Sequence, residues 1–147
     1  MKRETRVLGL DGCTQRRIIG VVTRGGLYLD GVFTLNHEEK AHALARRVTE
    51  TKYFPELQAI MIHGTTSELD FNLMKRVTSL PVIIVPVNGK IDGRGYEKVR
   101  LRGRTALFKT SPDPHTILEI LSLTTRRGHL PEPVRIAHLL GRLGLLS

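Results

Sequence analysis

The sequence predicts an α/β fold in which a mixed sheet of about five strands, three antiparallel and then parallel, is flanked by helices. Three observations support this fold class. Three short apolar segments separated by turn residues come first, two further apolar segments then alternate with helical patterns, and the rest is mainly helical. A length of 147 residues suits one domain over residues 1–147 with a core of ordinary size.

The five strands are predicted from short runs rich in apolar and β-branched residues. They cover residues 6–12, 17–23, 27–35, 57–62 and 80–86. Gly25 and Gly26 separate the second run from the third, at a hairpin turn that requires positive φ. Because the later strands alternate with helices, we expect them to pair in parallel through right-handed crossovers.

Apolar residues at helical spacing predict four helices. These cover residues 37–51, 68–77, 116–126 and 134–143. Asn36 is a suitable N-cap for the first helix, and Pro55 ends it. A basic hairpin is predicted between the second and third helices, with strands at residues 96–101 and 105–109.

Net charge is the most informative feature of the composition. The chain has 23 Lys and Arg against 14 Asp and Glu, a net charge of +9 and a pI of about 10.3. Such a balance attracts polyanions, so DNA is the favoured partner, although a general basic bias would produce the same excess. Trp is absent and 5% of residues are aromatic, which leaves little material for a base-stacking surface.

Other features exclude several classes of protein. No run approaches the ~20 apolar residues of a membrane span, and the N-terminal residues lack the apolar segment of a signal peptide. We therefore expect a cytoplasmic protein that makes no membrane contact. Cys13 is the single cysteine, which excludes an internal disulfide and a cysteine-rich zinc site.

Asp11 lies at the exit of the first predicted strand, and His63 directly follows the fourth. The order of elements is that of ribonuclease H-like folds, in which acids at the ends of these two strands face each other across adjacent parallel strands. Ligands of open α/β sheets collect outside the strand ends, so Asp11 is placed where a metal ion or phosphate could be met. The alternative is that Asp11 only forms a turn with Gly12.

Several segments resemble the endonuclease dU family, archaeal relatives of endonuclease V. They are residues 8–12 (Leu-Gly-Leu-Asp-Gly), 20–26 (Gly-Val-Val-Thr-Arg-Gly-Gly), 29–32 (Leu-Asp-Gly-Val), 60–66 (Ile-Met-Ile-His-Gly-Thr-Thr), 71–72 (Phe-Asn), 80–85 (Leu-Pro-Val-Ile-Ile-Val) and 131–140 (Pro-Glu-Pro-Val-Arg-Ile-Ala-His-Leu-Leu). The resemblance covers most of the chain, and residues 87–110 are shorter than expected for the family. It implies an archaeal source, a ribonuclease H-like fold and metal-dependent cleavage of DNA near deoxyuridine or other deaminated bases.

The same resemblance implies a site for Mg²⁺ or Mn²⁺ that contains Asp11. Members usually carry Asp-Asp-Gly after the first strand and an Asp before the glycine of the fourth, whereas this chain has one acid, Asp11, and has His63 in the fourth-strand place. An acid shortly after Phe-Asn is replaced by Leu73-Met74-Lys75. His63 is a poorer ligand for Mg²⁺ than a carboxylate, and it is a candidate Mn²⁺ ligand or general acid or base.

Two further acids are candidates near the strands. Glu38, or its neighbour Glu39, is positioned to supply a second carboxylate, although acids at a helix N-terminus also stabilise the helix dipole. Asp30 is a turn acid or a partner that orients Arg24, and Arg24 itself is a candidate for contact with nucleic acid.

The remaining candidates lie in the last helix and in the basic hairpin. Glu132, Arg135 and His138 are spaced three apart, so they share one helix face if the helix begins early enough. They form either an internal brace or part of the active crevice, with Arg135 on a phosphate. In the hairpin, the alternating basic residues predict a face that tracks a DNA backbone or a solvated edge. These residues are Lys98, Arg100 and Arg102.

Three functions follow from these observations. The first is a metal-dependent endodeoxyribonuclease that acts in DNA repair. The second is a catalytically inactive paralogue that binds nucleic acid or protein, because family acids are missing. The third is a structural module with incidental basicity. The sequence leaves the preferred lesion, the strand cut and the oligomeric state open.

Overall fold

The computed structural model describes residues 4–12, 17–26, 28–36, 40–63, 70–86, 97–101, 104–108, 114–126 and 130–144. The strands are β1 (Arg6–Asp11), β2 (Arg17–Arg24), β3 (Tyr28–Asn36), β4 (Leu57–His63), β5 (Val82–Val85), β6 (Glu97–Leu101) and β7 (Arg104–Phe108). The helices are α1 (Ala41–Glu50), α2 (Phe71–Thr78), α3 (Pro114–Thr124) and α4 (Glu132–Leu143), with one 3-10 turn at Phe54–Glu56.

The strands form one mixed sheet in the order β3-β2-β1-β4-β5-β7-β6. The first three strands are antiparallel, and β1, β4 and β5 are parallel to one another. This arrangement confirms the predicted mixed α/β sheet, and the basic hairpin extends it to seven strands because β7 pairs with β5. Gly25 has φ +61°, as the turn between β2 and β3 requires.

The sheet separates two apolar layers. On one face, α1 and α2 bury side chains such as Leu44, Val48 and Met74 against Leu8, Leu10, Ile60 and Ile62 of the central strands. On the other face, α3 and α4 bury Ile117, Ile120 and Val134 against Val7, Ala59, Met61 and Ile83. Each fully buried aliphatic side chain contributes about 1.5–3 kcal/mol relative to exposure, so alternation along the strands anchors helices on both faces.

The helix boundaries differ from the predictions at all four N-termini, and α3 begins at Pro114, two residues before its predicted start. Asn36 is the last residue of β3, paired with Arg17, and α1 begins only at Ala41, so Asn36 is not its N-cap. The ladder between β2 and β3 keeps Asn36 in the extended conformation. Helix α2 begins at Phe71 rather than near residue 68, because the Asp70 carboxylate accepts a hydrogen bond of 2.9 Å from the backbone N–H of Leu73.

Helix α4 begins at Glu132, two residues before the predicted start. Pro133 occupies its first turn, where the missing N–H costs no hydrogen bond and the fixed φ suits a helix. The early start places Glu132, Arg135 and His138 within one helix. Among the described residues, no helix combines the length and apolarity needed to cross a bilayer.

Candidate metal centre

Asp11 and His63 are direct neighbours at the carboxyl ends of β1 and β4. Their Cα atoms are paired in the parallel register of the two strands. Alternation along each strand turns both side chains to the α4 face, the face of Val7 on β1 and of Met61 on β4. The predicted neighbourhood of the acid and the imidazole is confirmed.

Helix α4 adds His138 to this pair. Its start lies against β1 at Gly9, where an added Cβ would be 2.5 Å from the carbonyl carbon of Pro133. From Gly9 to Asp11 the strand advances about 7 Å. From Pro133 to His138 the helix advances about 7.5 Å. The two advances are similar, and His138 contacts Asp11.

The three side chains form a compact cluster. Asp11 Oδ2 lies 2.6 Å from His138 Nδ1 and 3.4 Å from His63 Nδ1. The two imidazole rings meet edge to face with their centroids 4.9 Å apart. The side chains of Asp11 and His63 are 1% and 5% exposed, whereas that of His138 is 27% exposed. The cluster is therefore buried at the sheet and open to solvent at the helix.

The direction of the short hydrogen bond follows from the charge of Asp11. An ionised carboxylate oxygen only accepts, so with Asp11 ionised the donor is His138 Nδ1–H. This hydrogen bond orients the His138 ring.

Glu132 and Arg135 form an ion pair one turn before His138. Arg135 donates to Glu132 from both Nε and Nη2, and the second hydrogen bond is 3.0 Å long. The hydrogen bond to Glu132 raises the pKa of Arg135 above its usual value, so Arg135 is a permanent cation. The predicted internal brace is present, and it lies on the same helix as His138.

Arg24 and Asp30 lie at the other end of the sheet. Arg24 pairs with Arg6 across the β1–β2 ladder, and Arg6 precedes Asp11 by five strand residues, about 17 Å. Asp30 accepts hydrogen bonds from Arg24 Nε at 2.7 Å and from Arg6 Nε at 2.6 Å. Asp30 therefore orients Arg24, which is one of the two roles predicted for it. Neither residue lies near the cluster of Asp11, His63 and His138.

Lys98 and Arg100 are exposed on the edge strand β6. Val99, between them, packs against the apolar layer under α3, so alternation turns Lys98 and Arg100 to the opposite face of the sheet from Asp11. The geometry of β6 is consistent with the prediction that Lys98 and Arg100 share one face. Glu38 and Arg102, the other predicted site residues, lie outside the described residues.

The sequence indicated His138 only as a site candidate, without a role as a ligand. Its spacing from Glu132 and Arg135 predicted a common helix face, but no pattern in the sequence connects residue 138 with residue 11. Contact across 127 residues depends on how α4 packs on β1.

The donor set of the cluster fits a divalent metal ion. Asp11, His63 and His138 each offer one ligand atom, and these atoms lie within 4.8 Å of one another. One carboxylate with two imidazoles is a common ligand set for first-row transition ions, whereas Mg²⁺ prefers oxygen ligands. These residues therefore form a candidate site for a divalent metal ion.

Solved structures show which fold this is. The chain is similar to a protein of unknown function from Archaeoglobus fulgidus, with a TM-score of 0.76 and 22% identity over 97% of this chain and 99% of that one. It is also similar to human endonuclease V, with a TM-score of 0.61 and 16% identity over 96% of this chain and 84% of that one. The protein has a ribonuclease H-like fold of the endonuclease V type.

The sequence relatives define the family. No family model matches the chain. A UPF0215 protein of Methanopyrus kandleri is 30% identical over 177 residues, covering 94% of this chain and 90% of the relative. The chain belongs to the UPF0215 family. The relatives to which it is similar come from archaea. Because the alignment of 177 residues exceeds the 147 of this chain, the relative carries additional internal residues.

Proposed function

We propose that this protein is a metal-dependent endonuclease that cleaves DNA at deoxyuridine or another deaminated base, the activity that a member of an endonuclease dU family would have. The observation that carries the proposal is the cluster of Asp11, His63 and His138 at the carboxyl ends of two adjacent parallel strands. Ligands of open α/β sheets bind outside these strand ends.

The cluster has the chemistry that such a reaction needs. Asp11 and the two histidines would hold the ion, which when bound lowers the pKa of water and polarises a phosphoryl oxygen. The 27% exposure of His138 leaves the cluster accessible from solvent. Arg135, a cation on the same helix, is suited to hold a phosphate.

Charge and structural similarity support a nucleic acid as substrate. A net charge of +9 attracts polyanions. Among the solved structures, endonuclease V from Ciona intestinalis was determined in complex with a 23mer DNA that contains an inosine followed by a ribo-adenosine. That chain is 12% identical to this one, with a TM-score of 0.58, over 96% of this chain and 85% of its own. Inosine carries a deaminated base, which supports the choice of lesion.

The ligand atoms of the cluster also support a second candidate function, a catalytically inactive protein that binds nucleic acid or a protein partner. Within the described part of the chain, Asp11 is the one carboxylate of the cluster. Mg²⁺-dependent hydrolysis relies on oxygen ligands, and His63 occupies a place where an acid would supply one. The two functions make different predictions for a cleavage assay.

The assay uses duplexes that contain uracil or hypoxanthine and an otherwise identical undamaged duplex, each with Mg²⁺ or Mn²⁺. We expect nicking of the damaged duplexes, and we expect Asp11→Asn to reduce it at least about 100-fold, the lower end of what one positioned catalytic group contributes. Asp30→Asn is the matched control, because Asp30 lies at the other end of the sheet.

The outcomes separate the two functions. Equal products from the wild type and Asp11→Asn would remove the enzymatic proposal, because they would come from a contaminant. Binding of the duplexes without nicking by the wild type would support the inactive binding protein. Circular dichroism of each variant shows that it remains folded.

A further inference from the structure

We propose that Asp11, His63 and His138 form a binding site for a first-row divalent transition ion, of which Zn²⁺ and Mn²⁺ are examples, in preference to Mg²⁺. The ligand atoms are Asp11 Oδ2 and the Nδ1 atoms of the two histidines. The inference deepens the proposed function by naming the metal class, and its measurement needs no cleavage.

The separation of Asp11 from His63 matches a metal site. Two ligand atoms bound at about 2.05 Å in tetrahedral geometry lie about 3.4 Å apart. Asp11 Oδ2 and His63 Nδ1 are 3.4 Å apart. Both side chains are almost fully buried and lie on paired strand residues, so the sheet holds half of the site in place.

The separation of Asp11 from His138 is that of a hydrogen bond. At 2.6 Å, the two atoms are closer than two ligands of one ion. Binding therefore requires the His138 Nδ1 atom to lose its proton and to move away from Asp11 Oδ2. The ligand atoms, which lie within 4.8 Å of one another, must also converge toward the tetrahedral separation. His138 can make this movement, because it lies on a helix surface and is 27% exposed.

The ligand chemistry selects the class of ion. Mg²⁺ requires oxygen ligands at close to octahedral geometry, and the cluster supplies one carboxylate. Imidazole nitrogens suit Zn²⁺, Mn²⁺ and their neighbours, with affinity rising from Mn²⁺ toward the later ions of the series. The exposed side at His138 leaves room for the water or substrate that completes the coordination of a catalytic ion.

The test measures binding by tag-free protein that has been treated with a chelator. Equilibrium dialysis with elemental analysis gives the affinities for Zn²⁺, Mn²⁺ and Mg²⁺. Co²⁺ gives a visible absorption spectrum that reports imidazole ligands and the coordination number. We expect one ion per chain, with Zn²⁺ bound more tightly than Mn²⁺ and both bound at least about tenfold more tightly than Mg²⁺.

Variants locate the ion. His138→Ala and His63→Ala are expected to weaken binding of Zn²⁺ by more than about 10-fold, the loss that even outer-shell partners cause. Because His138 is partly exposed, His138→Ala tests the site even if His63→Ala fails to fold. The matched control is His115→Ala on α3, which removes an exposed histidine that contacts Glu119 at 2.7 Å and is itself able to attract metal.

Equal affinity for Mg²⁺ and Zn²⁺ would overturn the inference, and so would unchanged Zn²⁺ affinity in both His63→Ala and His138→Ala. Loss of Zn²⁺ binding in His115→Ala alone would also overturn it by assigning the ion to α3. Tight, histidine-dependent binding without any DNA cleavage supports the metal site while the nuclease fails. Mg²⁺-dependent cleavage that survives both histidine substitutions supports the nuclease while the metal inference fails.

Discussion

Gly9 of β1 lies directly beneath Pro133 of α4, so close that a Cβ atom at residue 9 would be 2.5 Å from the Pro133 carbonyl carbon and 2.7 Å from its oxygen. The contact is between the backbones of the strand and the helix, and it leaves no space for a side chain at residue 9. It sets the height of α4 above the sheet and therefore the position of His138 over Asp11.

Gly9→Ala should destabilise the protein and disturb the cluster. The Pro133 backbone cannot rotate away as a side chain can, so α4 must shift, and overpacking of this kind costs about 1–3 kcal/mol. We expect a lower midpoint of chemical denaturation and weaker metal binding. The shift of His138 relative to Asp11 is the cause of the second effect.

Gly20→Ala on β2 is the matched control. Its added Cβ would lie 2.6 Å from the end of the Phe33 ring, a partly buried side chain rather than backbone. The loss of stability should be smaller than for Gly9→Ala, and metal binding should be retained. A larger loss for Gly20→Ala would contradict the proposed role of the contact between β1 and α4.

Asp30→Asn should lower thermal stability most at low ionic strength. Asp30 lies between the guanidinium groups of Arg6 and Arg24, which are neighbours across the β1–β2 ladder, so removing its charge leaves two cations close together. In 1 M salt the Debye length is about 3 Å, and the difference from the wild type should shrink. Differential scanning calorimetry at several salt concentrations measures it.

Glu56→Gln is the control for Asp30→Asn. Glu56 contacts Arg6 at 2.7 Å, but its side chain is 62% exposed, and exposed ion pairs contribute little. A larger loss of thermal stability for Glu56→Gln than for Asp30→Asn would show that the central position of Asp30 is unimportant.

DNA binding should depend more on Arg135 than on the basic residues of β6. Arg135 is on the helix of His138, whereas Lys98 and Arg100 extend from the opposite face of the sheet. For duplex DNA, each neutralised phosphate contributes about −0.9 to the slope of log K against log salt. We expect Arg135→Gln to reduce the magnitude of this slope by about one unit and Arg135→Lys to retain it.

The combined variant Lys98→Gln/Arg100→Gln provides the comparison. Fluorescence anisotropy with an undamaged duplex gives the slopes of the wild type and of all three variants. If the double variant reduces the slope by about two units while Arg135→Gln leaves it unchanged, the DNA backbone follows β6 and the proposed path across α4 is wrong.

Local patterns predicted β1 to β5 well because each of them is a short apolar run next to turn residues. Turn residues also predicted the turn at Gly25 and the basic hairpin. Helix starts were less predictable. Asn36 and residues near 68 had suitable sequences, but ladder pairing in the first case and the capping carboxylate of Asp70 in the second decided where the helices begin.

The sequence by itself determined the mixed α/β sheet and placed Asp11 and His63 at the ends of two strands, since alternation and turn residues are local properties of the chain. Only the tertiary structure decided that His138 joins them and that Arg24, Lys98 and Arg100 do not. The physical reason is that these contacts depend on helix packing and on the face to which a strand turns each side chain. In particular, the absence of a side chain at Gly9 allows α4 to approach β1 closely enough for a residue 127 positions away to reach Asp11.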